Sequence, residues 1–81
     1  MDDSQIQERI SSLIDEEHRL REQAARGEVD IEDEQARLAE IEARLDQWWD
    51  LLRQRRARRD QGQDPDYAEP RPVDTVENYE Q

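Results

Sequence analysis

The sequence predicts an all-α protein: an antiparallel, coiled-coil-like two-helix hairpin followed by a proline-containing acidic tail. Three observations predict it. Apolar residues recur at heptad-like spacing in two separate stretches. One glycine-bearing break, Arg26-Gly27, divides them. All three prolines lie beyond residue 60, so the first sixty residues lack the strongest helix breaker.

The first helix is expected over about 4–26. Ser4 or Asp3 supplies a small polar side chain that can accept a hydrogen bond from a free N–H of the first turn. Ile6, Ile10, Leu13, Leu20 and Ala24 then form one stripe, with Glu17 filling its single gap. Gly27 ends the helix because it adopts the left-handed cap conformation without strain.

The second helix is expected over about 30–60. Asp30 is its candidate N-cap, and Glu32, Asp33 and Glu34 suit the positive end of the helix dipole. Its stripe runs Ile31, Leu38, Ile41, Leu45, Trp48 and Leu52, widened by Trp49 and Leu51. Gly62 and Pro65 stop it. Residues 1–60 therefore read as one hairpin and 61–81 as the tail.

A connection of three or four residues forces the helices antiparallel. At 1.5 Å per residue they span ~34 Å and ~45 Å. With the turn near residue 28, Ile6 faces Leu51, Ile10 faces Trp48, and Leu20 faces Leu38. The last turns of the second helix, RQRRARRD, then have nothing opposite them in this chain. They are expected to overhang the start of the first helix.

The tail has a turn signal at Asp64-Pro65-Asp66-Tyr67. Its composition fits an extended segment. Val73, Val76 and Tyr79 repeat every three residues, as a docking turn would. The sequence accommodates an extended tail and a docked one alike.

Composition narrows the function. The 81 residues carry 23 acids and 12 arginines, with no lysine or cysteine, for a net charge of −11. So short a chain cannot bury the core that a large enclosed active site needs. No cysteine means no disulfide and no zinc-thiolate site. No apolar run is long enough for a membrane span, and no signal-peptide pattern is present. The expectation is a cytoplasmic protein without membrane contact. Ser4, Ser11 and Ser12 have no histidine placed as a base, and there is no glycine-rich phosphate loop. The chain is expected not to be an enzyme, and no cofactor is assigned.

A lone hairpin of this size is marginal, because ordering two helices costs more than one apolar stripe returns. Ile14, Trp49 and Leu51 lie off the main stripe and would make a second apolar face near the open end. A homodimer forming a four-helix bundle is the preferred remedy. Adjacent tryptophans point about 100° apart, so one of Trp48 and Trp49 fills the hairpin core and the other meets something else. Glu17 on the stripe is expected to form a polar layer with Arg21, or with Arg37 or Arg44 across the hairpin.

Two other constellations carry chemistry. Asp15, Glu16, Glu17 and His18, with Glu40 or Glu42 opposite, resemble the inward carboxylates and histidines of di-metal bundles. Since His18 sits beside the stripe, a solvated flank is the preferred reading and no metal ligand is assigned. Arg53, Arg55, Arg56, Arg58 and Arg59 reverse the sign of an acidic chain. They suit a helix C-terminus, the acids of the tail or a second subunit, a protein partner, or a nucleic-acid phosphate backbone. The overall negative charge disfavours the last. A tail clamp is a further expectation, with Asp64, Asp66 and Glu69 covering the arginines.

The run Glu16-Glu17-His18-Arg19-Leu20-Arg21-Glu22, the segment from Leu45-Asp46-Gln47 through Trp49 to Arg59, Arg71-Pro72-Val73, and Thr75-Val76-Glu77-Asn78-Tyr79 resemble a small actinobacterial family, domain of unknown function 2630. The resemblance spans nearly the whole chain and is most specific in the second helix. It implies a short, cytoplasmic, stand-alone helical protein and contributes no site residues. The functional expectation is an unidentified protein partner at the open end. The interaction candidates are Ile14, Trp48, Trp49, Leu51, Arg53, Arg55, Arg56, Arg58 and Arg59. The alternative is a nucleic-acid or ribonucleoprotein accessory, and the remote alternative is the di-metal bundle.

Overall fold

The computed structural model describes residues 1–72. The expected Val73, Val76 and Tyr79 repeat lies outside them. The described chain is two antiparallel helices, α1 (Asp3–Ala25) and α2 (Ile31–Asp60), followed by a short 3-10 turn at Pro65–Tyr67.

Helix α1 starts one to two residues earlier than Ser4 or Asp3 would place it. Asp2 is the N-cap. Its carboxylate accepts from the Gln5 backbone N–H at 2.9 Å, and the Gln5 side chain accepts from the Asp2 N–H at 2.9 Å. This reciprocal box satisfies two orphan donors, which Asp3 or Ser4 alone does not. It also leaves Asp3 free for another role.

Both helices end in the same way. Gly27 and Gly62 each have φ +74°. Gly27 and Glu28 donate backward to Ala24 and Gln23, and Gly62 and Gln63 donate to Arg59 and Arg58. These paired bonds occupy carbonyls that a helix end would otherwise leave bare. Asp30 caps α2 by position, with extended backbone but no side-chain bond.

The main core lies toward the open end. Ile6 and Ile10 of α1 cluster with Leu51 and Leu52 of α2, and Leu45, Trp48 and Ala68 pack against them. Leu20 and Ile41 are also buried. The stripe register holds, with one correction. Leu51 is only 3% exposed and belongs to this core, not to an outer apolar face.

Ala68 in that cluster marks the second correction. The tail folds back over α2, so the basic turns of α2 do not overhang empty space. Arginine side chains on a helix lean toward its N-terminus. Arg55 and Arg59 therefore reach back to Asp3 at the start of α1.

Candidate functional site

Two polar clusters and one apolar flank stand out. The first cluster ties the start of α1, the end of α2 and the 3-10 turn together. Arg55 is 5% exposed. Its Nε donates to Asp3 Oδ1 at 2.7 Å, and its NH1 donates to Asp66 Oδ1 at 3.0 Å and to the Pro65 carbonyl at 3.2 Å. Arg59 NH2 donates to the other Asp3 oxygen at 2.6 Å. Hydrogen bonds from Arg59 and Arg55 hold the Asp3 carboxyl down at about 2 against a slight opposing push from burial. The same bonds, with Asp3 first, raise both arginines above their usual value.

The second cluster straps the tail onto the back of α2. Asp50 is 2% exposed. Arg71 grips both its oxygens: Nε donates to Oδ2 at 2.8 Å, and NH2 donates to Oδ1. Gln54 Nε2 donates to Asp50 Oδ2 at 2.9 Å and to the Glu69 carbonyl at 3.0 Å. Gln47 Nε2 donates to the Arg71 carbonyl at 3.1 Å. Burial pushes the Asp50 carboxyl up. The hydrogen bonds from Arg71 and Gln54, with the charges of Arg71 and Arg53, outweigh it and hold the group below its ordinary value. Among the described residues no buried side-chain nitrogen or oxygen lacks a partner, so the strap carries no uncompensated desolvation.

These clusters sort the arginines. Arg55 is enclosed and unavailable to an outside partner. Arg59 is partly engaged with Asp3. Arg58 is partly buried, and Arg53 and Arg56 are exposed. Of the three tail acids, Asp66 meets Arg55, Asp64 instead accepts from the Asp66 N–H at 2.9 Å, and Glu69 offers its backbone carbonyl to Gln54. The clamp is therefore real but narrower than expected, and its strongest grip is a pair that was not expected, Arg71 on Asp50.

The tryptophans separate as the 100° rule requires. Trp48 packs against the core. Trp49 is 42% exposed and Ile14 37%. On α2, Trp49 and Leu51 sit on opposite flanks of Asp50. Among the described residues the tail lies on the Leu51 flank, against Gln47 and Gln54, and Trp49 stays 42% exposed on the other. In an antiparallel pair, helix phase sets Ile14 on the same side of the hairpin as Trp49, with half-buried Leu38 and Leu45 and exposed Ile31.

Elsewhere the charges pair locally. Glu17 is half-buried and pairs along α1 with exposed Arg21 at 3.8 Å. Arg37 crosses the hairpin to Glu16 at 3.3 Å rather than to Glu17, and Arg44 pairs along α2 with Glu40 at 3.3 Å. Glu16, Glu40, Arg37 and Arg44 line a shallow groove of about 250 Å³ with Leu13 and Ile41. His18 is exposed, and among the described residues no group of three or more His, Asp or Glu side chains is placed to hold a metal ion. No helix is long and apolar enough to cross a membrane among the described residues.

Comparison with known proteins gives this arrangement its relatives. The family model "Protein of unknown function (DUF2630)" matches residues 2–81. An uncharacterised protein of Mycobacterium bovis is 49% identical over 77 residues, covering 95% of this chain and 88% of the relative. Uncharacterised proteins from two strains of Mycobacterium tuberculosis match to the same extent. No solved structure matches the chain. The chain belongs to the DUF2630 family.

Proposed function

We propose that this DUF2630 chain is a small, non-enzymatic, cytoplasmic interaction protein whose docking surface is the lateral Ile14/Trp49 flank rather than the open end of the hairpin. The observation that carries the reading is Trp49: a large aromatic side chain left 42% exposed beside a strap that covers the opposite flank. Tryptophan is the residue type most often found as an anchor in interfaces. The flank continues through Ile14, Leu45, Leu38 and Ile31, so the exposure is a stripe and not one stray side chain. Self-association of hairpins through it, giving a four-helix bundle, is part of the proposal.

The nucleic-acid alternative rests on Arg53, Arg56 and Arg58. It is the weaker reading, because Arg55 and Arg59 are committed to Asp3 and the chain as a whole carries a net charge of −11.

A photo-reactive residue placed at position 49, and in a separate chain at position 58, tests the two readings in cells. Protein adducts at position 49 that survive nuclease treatment are expected. Nucleic-acid adducts at position 58, with none at 49, would overturn the proposal.

A further inference from the structure

We infer that the occupant of the Ile14/Trp49 flank is a second copy of this chain, packed antiparallel about a twofold axis that passes beside Ile14. This rests on the reading of that flank as an interface. It adds the axis and the register of the pairing.

The register follows from three placements. The connection between the helices, residues 26–30, is centred on Glu28, which sets Ile14 level with Glu42 in the middle part of α2. The midpoint of Leu38 and Trp49 falls between Ala43 and Arg44, within two residues of that level. A twofold axis there puts Ile14 against its own copy and lays Trp49 of each chain over Leu38 of the other. Ile14, Trp49 and Leu38 are then opposed by apolar side chains, and isologous pairing closes the assembly at two copies.

Charge is complementary in the antiparallel register. The flank ends at one extreme in Arg53 and Arg56, and Glu34 of the acidic first turn of α2 stands near the other. In this register Arg53 falls opposite Glu34 of the second copy, with Arg56 one turn on.

Area is sufficient. Paired helices ~34 Å long and roughly 20 Å wide offer on the order of 600 Å² per copy, above the ~1,000 Å² total of a specific interface.

The full chain is tested by sedimentation at concentrations up to about 100 µM. The expected species has twice the 9.7 kDa chain mass. Trp49→Glu is expected to give a monomer that keeps its helical circular dichroism. Ile14→Glu makes the same test at an exposed position if Trp49→Glu fails to fold. Arg56→Glu and Glu34→Arg are each expected to weaken association about tenfold, and the two together to restore it. The chain has no cysteine, so Ile14→Cys reads the axis directly: a covalent dimer is expected on mild oxidation, with Ala57→Cys on the far face as the control.

A monomer at 100 µM, a dimer indifferent to both glutamate variants, or a dimer that Ile14→Cys does not cross-link overturns the inference. A monomer whose position 49 still captures a different protein overturns only this inference. No protein adduct at position 49 and no dimer removes the interface reading as well.

Discussion

Arg71 holds both oxygens of Asp50 from a point 21 residues further along the chain, over the back of α2. That pair turns a two-helix hairpin into a three-layer arrangement of α1, α2 and tail. A carboxylate with 2% exposure would be costly alone. Here Arg71 and Gln54 supply its hydrogen bonds.

Arg71→Ala is therefore expected to destabilise the fold by about 1–3 kcal/mol, below the full cost of breaking a buried pair because the arginine end is partly solvated. Asp50→Asn removes the charge but keeps the shape and is expected to cost less than Asp50→Ala. Urea unfolding followed by circular dichroism measures all three, and the Asp50/Arg71 double-mutant cycle isolates the pair.

Acid should loosen the knot at Asp3. Its folded pKa, about 2, lies below the ordinary 3.8. A depressed carboxyl contributes stability that is fully present above its unfolded value and lost as pH falls through the folded one. The window is thus pH 4 down to pH 2. Asp3 is about one-third exposed, so solvent screening reduces the contribution to about 1–2 kcal/mol. Asp3→Asn is expected to remove most of the stability difference between pH 5 and pH 2.5 that this carboxyl causes, measured by denaturant midpoints across that range.

Arg55 and Arg56 are neighbours with opposite fates. Arg55→Ala leaves Asp3 and Asp66 short of a buried partner and is expected to cost about 2–4 kcal/mol. Arg56→Ala, on the surface, is expected to change stability by less than about 0.5 kcal/mol. Equal effects in thermal unfolding would contradict the placement of Arg55 inside the fold.

Gly27 occupies the left-handed region at φ +74°, and nothing lies within 4 Å of where a Cβ would stand. Gly27→Ala is thus a test of backbone strain alone, with an expected cost of about 1 kcal/mol. Gly27→Asn should cost less, because asparagine tolerates this conformation. Melting temperatures of the two variants decide it.

The hairpin was legible because its signals are local. The heptad stripe of Ile6, Ile10, Leu45, Trp48 and Leu52 and the stop at Gly27 each depend on neighbours a few residues away. The strap was not, because Asp50 lies on the side of α2 opposite the hairpin stripe, where an acid looks like ordinary solvated surface. Only its position inside the apolar run Trp48–Leu52 hints at cover. Its partner is a single arginine in a tail whose composition reads as extended. Leu51 was misplaced as well: it closes the core with Ile6, Ile10 and Leu52, and Ala68 of the tail packs against that cluster. The overhang failed for a different reason, since rise per residue counts backbone and ignores how far an arginine reaches.

The layering also has a kinetic meaning. Helix α2 is touched on one side by α1 and on the other by the tail, while α1 and the tail meet chiefly through Arg55 and its two acids. Either outer layer can lift without the other, but α2 is released only when both have gone. Amide hydrogens around Asp50 and Leu52 should accordingly be the last in the chain to exchange with solvent. Those at the turn by Gly27, which neither the tail nor the core reaches, should be among the first.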